Sequence, residues 1–338
     1  MMRAATRAAG KQRIRCGIVG YSMGRYHAGL ISKTRGLELV AVCDLDPARL
    51  EAAQEDYPGI GVYTDLEAVL EQAGADLVSV VTPHNTHAAL VIQCLQAGKH
   101  VVVDKPMCIT AQEATDMIGA AKRARRTLSV FHNRRWDGDY LAAKEVIGKG
   151  VIGDVFHVEM YMGGYGPPPK VWRSDKAISG GAFYDWGAHI VDWALGFVPR
   201  KIESVTGFFH KLRWHEATNE DQVQALVRFA GGAVADIQIS SLARAPRPRW
   251  RILGTLGAIL HEGGDTLHVS TEVKGIAAEM HVKAKEPGWA AYYNNIAEHL
   301  LRGRPLAVTP ESARRVIAIM EAAERSASSH QAVPVPHE

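Results

Sequence analysis

No stretch of about 18 consecutive apolar residues occurs in the sequence, so none of it reads as a membrane span. Cysteine is scarce: Cys16, Cys43, Cys94 and Cys108 stand apart in apolar surroundings, with no CxxC pair and no histidine at ligand spacing. That excludes a disulfide framework and predicts no metal site; buried, reduced thiols in a cytoplasmic protein account for all four. A basic body is missing too. Five of the 39 Lys and Arg residues, Arg3, Arg7, Lys11, Arg13 and Arg15, crowd an acid-free start, and the other 34 face 36 acidic residues, leaving the rest of the chain near −2. Nucleic acid would need a basic face on the folded part, so that class of partner is excluded. The Ala- and Arg-rich start lacks the apolar segment of a secretory signal and is expected to be a disordered extension over residues 1–13.

What is present suits a soluble globular enzyme: 338 residues, 47% hydrophobic and 22% charged, enough for two domains. From residue 14 to about 135, near-continuous apolar runs (14–20, 37–44, 75–82, 99–106 and 127–131) alternate with amphipathic helical patterns such as 46–56 and 86–98. Strands buried on both faces, alternating with helices, predict an α/β Rossmann domain with a doubly wound parallel sheet. Over 136–338 the strand-like runs 154–163, 200–210, 221–230, 233–243 and 249–262 follow one another directly, and the paired Gly231–Gly232 reads as a hairpin turn. This predicts an α+β domain with a large, mainly antiparallel open sheet. Residues 163–182, rich in Gly and Pro yet carrying Trp172, Arg173 and Asp175, read as a lid rather than a linker. A final helix over 310–327, with Thr309 as N-cap and Pro310 at its first position, has one apolar face and can pack back on the first domain.

The chemistry concentrates at strand ends. The first strand runs into GYSMGRYH (20–27), a Gly-rich turn that lets backbone N–H groups approach a pyrophosphate at the positive end of a helix dipole. Ser22 stands where a middle glycine is usual, and the turn is one residue short. Asp44 ends the second strand, where a carboxylate accepts from an adenosine ribose diol and repels a 2′-phosphate, so NAD is expected ahead of NADP. The fourth strand ends in TPHNTH (82–87) and the fifth in Asp104-Lys105-Pro106. Lys105 is poorly placed for an idle ammonium and can polarise a substrate oxygen. In SGGAFYDWGAHIVDW (179–193), Asp185 and His189 share a face if the segment is helical, with Asp192 one turn further. An imidazole there can take a hydroxyl proton.

A Gly-rich turn closing in Gly-x-x-His, a strand-end Asp, TPxxxH, an acidic-Lys-Pro tripeptide and GGxxxDxGxHxxD, in that order from residue 14 to about 330, resemble the Gfo/Idh/MocA oxidoreductases, which include inositol dehydrogenases. The resemblance implies reversible hydride transfer between a nicotinamide and a sugar, cyclitol or polyol carbon, in a homodimer or homotetramer built through the second sheet. It implies Lys105, Asp185 and His189 as the catalytic group. Gly20, Ser22, Met23, Gly24, Asp44, Thr82, Pro83, Asn85, His87, Asp104 and Lys105 are expected along the cofactor. Asn133, Arg135, Trp172, Arg173 and Asp192 are expected to meet the substrate. Asp104 departs from the family's usual glutamate by one methylene. The alternative activity is an NAD-retaining glycoside-cleaving enzyme acting through a transient keto-sugar.

Overall fold

The computed structural model describes residues 13–336. The expected extension therefore lies, but for Arg13, outside the described residues. Six parallel strands form the first sheet: β1 (Ile14–Val19), β2 (Leu37–Cys43), β3 (Gly61–Tyr63), β4 (Leu77–Val80), β5 (His100–Val103) and β6 (Leu128–Val130), in the order β3-β2-β1-β4-β5-β6. Helices α1 (Gly24–Lys33), α2 (Pro47–Asp56), α3 (Leu66–Gln72), α4 (His87–Gln96) and α5 (Ala111–Ala124) connect them. The chain leaves β1 in one direction and returns in the other through β4, which opens a crevice at the carboxyl ends of those two strands. Val101, Val102 and Val103 are fully buried, as expected of a strand covered by helices on both faces. The three-residue β3 was too short to stand out in the sequence.

The second half runs α6 (Gly138–Gly148), β7 (Val155–Gly163), the one-turn helices α7 (Lys176–Ser179) and α8 (Ala182–Asp185), then α9 (Gly187–Phe197). Seven strands follow: β8 (Ile202–His210), β9 (Gln222–Phe229), β10 (Val234–Ser240), β11 (Trp250–Gly254), β12 (Gly257–His261), β13 (Thr266–Val273) and β14 (Ile276–Lys283). They join β7 in one eight-stranded sheet of order β14-β13-β12-β11-β7-β10-β9-β8. All pairings are antiparallel except β7 with β10. The predicted hairpin is in place: Gly231 and Gly232 hold φ of 82° and 83° between β9 and β10. The run 249–262 is two strands rather than one, folded back at Thr255–Leu256; Gly254 and Gly257 flank that turn and lie against the Ile152 and Ser270 carbonyl oxygens, which a Cβ would meet at 2.1 and 2.2 Å.

Two last helices complete the chain, α10 (Ala290–Arg302) and α11 (Pro310–Ser329). Thr309 caps α11 by accepting from Ser312 N, with Pro310 at its first position. Its apolar face packs against β8 and α9 and also against α5 and β6, so it spans both sheets. Helix α10 belongs with the first sheet: Tyr292 Oη donates to Ser129 Oγ at 2.9 Å, and Tyr293 Oη shares a 3.0 Å hydrogen bond with Ser79 Oγ. Behind the second sheet, α9 carries Trp193 onto Trp250, with ring centroids 5.4 Å apart. Truncating a buried aromatic of this size costs about 3–5 kcal/mol, so α9 is held firmly where it presents His189.

Candidate active site

Gly20 follows β1 with φ of 91°, and a Cβ there would lie 2.2 Å from the Val81 carbonyl oxygen. Only glycine permits both the backbone conformation and the close approach of β1 to β4. At Gly24 a Cβ would sit 2.8 Å from Ile18 Cγ2, so that glycine serves helix-to-strand packing more than ligand approach. The intervening Ser22 and Met23 line a cleft of about 650 Å³, together with Asp44, Thr82, Pro83 and Asp104 at the carboxyl ends of β2, β4 and β5. Tyr21, between them, turns inward: it is 2% exposed, and its hydroxyl donates to Asp56 at 2.7 Å.

Asp44 is fixed before any ligand arrives. Its carboxylate accepts from Tyr21 N at 2.6 Å and Asp46 N at 3.0 Å, while Arg49 lies 3.4 Å from both oxygens. A carboxylate has about four acceptor positions, so two remain for a vicinal diol once the half-exposed Arg49 moves aside. The residues present therefore fit a dinucleotide: a glycine turn for the pyrophosphate, and an oriented acid for the adenosine ribose.

Lys105 and Asp185 meet. Lys105 Nζ donates to Asp185 Oδ1 at 2.5 Å and to the Asp185 carbonyl at 3.1 Å, joining the end of β5 to the end of α8. Burial alone would raise the Asp185 carboxyl, but the adjacent ammonium holds it below the ordinary range. An ammonium has three donors, and the third is left for a substrate oxygen. Asp185 and His189 do not share one helix: α8 ends at Asp185, Trp186 intervenes, and α9 starts at Gly187. His189 is 6% exposed, with its Nδ1 buried and without a partner among the described residues. Burial, then the charge of Lys105, drives its pKa far below the usual imidazole value, so the ring is neutral. Its companion His132, 6.3 Å away between ring centroids, is likewise pushed down to about 4 by burial.

Other expected contacts fall elsewhere. His87 is fully buried, its two ring nitrogens 2.9 Å from the Pro106 and Thr82 carbonyls, so it ties the ends of β4 and β5 together and does not face the cofactor cleft. Asn85 is exposed and outside the cleft wall, which Thr86 supplies instead. Arg135 and Asp192 are spent on each other through hydrogen bonds of 2.8 and 2.5 Å; Asp192 is 4% exposed, which removes the pair from substrate contact. Trp172 and Arg173, expected at the substrate, line the dinucleotide cleft. Asn133 is 9% exposed, beside His132.

Sequence reasoning passed over His84, which anchors the 163–182 segment. Its Nδ1 lies 2.8 Å from the Ser179 carbonyl and its ring meets Trp172 edge-on at 4.8 Å, while burial takes its pKa down to about 3. The signal was available in TPHNTH, where two histidines on a strand end are one more than a surface turn needs. Asp104 Oδ1 and His27 Nε2 are 3.8 Å apart, beyond hydrogen-bond distance.

Residues 14–132 match the family model described as the oxidoreductase family with an NAD-binding Rossmann fold, and residues 140–260 match the GFO/IDH/MocA C-terminal domain. The chain is 33% identical to the uncharacterized oxidoreductase YdgJ of Escherichia coli over 75% of its length and 72% of that protein. It is 28% identical to the NADP(+)-dependent scyllo-inositol 2-dehydrogenase IolW of Bacillus subtilis over 96% of each. A crystal structure of an NAD-binding protein from Listeria innocua superimposes with a TM-score of 0.86 at 30% identity, covering 97% of this chain and 98% of the other.

Proposed function

The chain belongs to the GFO/IDH/MocA oxidoreductases with an NAD-binding Rossmann domain, and from that membership we propose that it is a dehydrogenase acting reversibly on a CH–OH carbon of a sugar, cyclitol or related polyol. The observation that carries this reading is the Lys105–Asp185 contact beside the neutral, buried His189. NAD, when bound, supplies the hydride acceptor at the nicotinamide; every other requirement falls to the chain's own residues. Gly20, Ser22, Met23, Thr82 and Pro83 would hold the pyrophosphate side of the cofactor, and Asp44 the adenosine ribose. Trp172 and Arg173, brought by the lid, close that cleft from the second domain.

At the reacting centre, Lys105 keeps two of its donors on Asp185 and directs the third at the substrate oxygen, lowering the cost of the negative charge that develops there. His189 takes up the hydroxyl proton at Nε2, its Nδ1 being buried. A base held neutral by burial is ready at any pH near neutrality, and in the reverse direction it returns the proton. Asp185 positions Lys105 through both its carboxylate and its carbonyl. His87 sets the spacing between Thr82 and Lys105 by bridging their strands.

A small neutral polyol suits the site because Lys105 and Asp185 are already paired with one another. The inositol-directed relative supports a cyclitol, and Asp44 supports NAD over NADP. Four buried, reduced cysteines fit a cytoplasmic setting. Among the described residues no helix is long and apolar enough to cross a membrane. Phe156, Phe208, Ile276 and Met280 remain exposed on strands of the second sheet, which supports a homodimer or homotetramer joined there. The test is a panel of inositols, aldoses and glycosides with NAD and NADP, read by absorbance of the reduced cofactor. Reduction by at least one polyol or aldose is expected; cleavage of a glycoside without accumulation of reduced cofactor would replace this reading with the keto-sugar mechanism.

A further inference from the structure

After β6 the chain places two arginines side by side and sends them to different work. Arg135 is held by Asp192, whereas the Arg134 side chain stays a quarter exposed. Both ends of Arg134 are fixed by the segment that carries His189. Trp193 Nε1 donates to the Arg134 carbonyl at 2.9 Å, and the guanidinium lies 4.7 Å over the Trp186 ring, which meets the His189 ring edge-on at 5.9 Å. The same guanidinium is 5.4 Å from the Trp289 ring, and Trp289 meets Tyr26 of α1 at 6.2 Å. A wall of aromatic rings with one cation set in it thus runs from the His189 segment to the first helix of the Rossmann domain.

The guanidinium is oriented before any guest arrives. Its Nη1 donates to Asp137 Oδ2 at 3.0 Å, and Trp289 Nε1 fixes the other oxygen of that buried carboxylate at 2.6 Å. Among the described residues Nη1 alone of the three nitrogens makes a hydrogen bond, so Nε and Nη2 keep donors in the planar fork. Arg249, the neighbouring cation, lies 3.2 Å from Asp139 and 3.6 Å from Asp137, so two cations face two carboxylates. The fork therefore offers donors without an excess of charge, which suits hydroxyl oxygens of a neutral polyol. After burial and the charge of Lys105, the charge of Arg134 is among those that keep the His189 imidazole neutral, as its place one indole away requires.

We propose that Arg134 is a substrate-binding residue: through Nε and Nη2 it holds a hydroxyl of the polyol other than the one being oxidised, and so selects which polyols bind and in which orientation. The proposal rests on the dehydrogenase reading above. It leaves the chemical step to Lys105 and His189, and it assigns to Arg134 the substrate contact that the neighbouring Arg135, engaged with Asp192, does not make.

The test is initial-rate kinetics of the full-length protein with NAD and whichever of myo-inositol, scyllo-inositol, glucose or xylose is turned over fastest, beside the monodeoxy analogues of that compound. Arg134→Met should raise KM about tenfold or more and change kcat by about threefold or less, with NAD affinity unchanged. Arg134→Lys keeps a charge beside Asp137 without the fork; it should fall between, and it carries the test if Arg134→Met disturbs folding. Loss of one particular hydroxyl from the substrate should cost the wild type about tenfold in kcat/KM and the variants about twofold or less, whereas a purely structural residue would leave that sensitivity unchanged. Equal sensitivity of wild type and variants to every deoxy analogue, or KM within about twofold of wild type in both variants, would overturn the proposal and leave the dehydrogenase reading standing. No reduction of NAD by any of these compounds would overturn that reading and this proposal with it.

Discussion

His132 is buried and neutral, and its Nδ1 has no partner among the described residues, so acid should unfold this protein partly through that one ring. In the unfolded chain an imidazole titrates near pH 6.5, whereas burial holds His132 down to about 4. Between those values the unfolded state binds a proton that the native state refuses, so native stability falls as pH falls. The contribution is fully retained above 6.5 and lost progressively on the way down to the folded pKa. From pH 7 to pH 5 the penalty approaches 1.5 pH units' worth of linkage, or about 2 kcal/mol. Urea unfolding of the wild type and of His132→Phe at both pH values isolates it. The wild type should lose about 2 kcal/mol more than the variant over that interval, whatever the variant's starting stability. Equal losses would show that His132 is protonated in the native state and that its burial has been misjudged.

Three further outcomes follow from the site. Gly20→Ala forces a side chain into positive φ and onto the Val81 carbonyl, and should weaken NAD binding by roughly 100-fold or more, measured by quenching of tryptophan fluorescence. Asp44→Ala removes charged acceptors and frees Arg49, so NAD affinity should drop about 10- to 100-fold while NADP loses much less; equal loss for both would remove the ribose assignment. Asp192→Ala takes two hydrogen bonds from the partly buried Arg135 guanidinium, which keeps Ala307 O and Ser312 Oγ, and should cost about 1–3 kcal/mol of stability in urea melts, whereas a change confined to KM would restore Asp192 to the substrate.

The first sheet was legible because parallel strands buried on both faces write themselves as apolar runs, and Gly20, Asp44 and Lys105 stand at the ends of those runs. The second sheet was half legible. Strands β13 and β14 escaped notice because β14 lies at an exposed edge, with Ala277 and Ala278 in place of β-branched residues, and its turn is the single-glycine pair Lys274–Gly275, at φ of 52° and 81°, rather than a double glycine. Helix α10 starts at Ala290, after Trp289, which offers no side-chain cap, so no start signal announces it. Among candidate site residues, those that stand at a strand end could be located from sequence. Those whose role depends on a partner distant in the chain could not: Arg135 finds Asp192 across 57 positions, and His84 finds Ser179 across 95. A lone charge or imidazole in a sequence looks the same whether its partner is a substrate or a side chain.

The central claim is that Lys105 and His189 act on the substrate at the moment of hydride transfer. The direct measurement is the single-turnover rate of NAD reduction by the best polyol of the panel, in the wild type, Lys105→Met and His189→Asn, each first shown to be folded and to bind NAD normally. Both variants should slow the chemical step by roughly two or more orders of magnitude, with a full deuterium isotope effect at the reacting carbon. Near-normal rates in both, with NAD bound, would contradict the account.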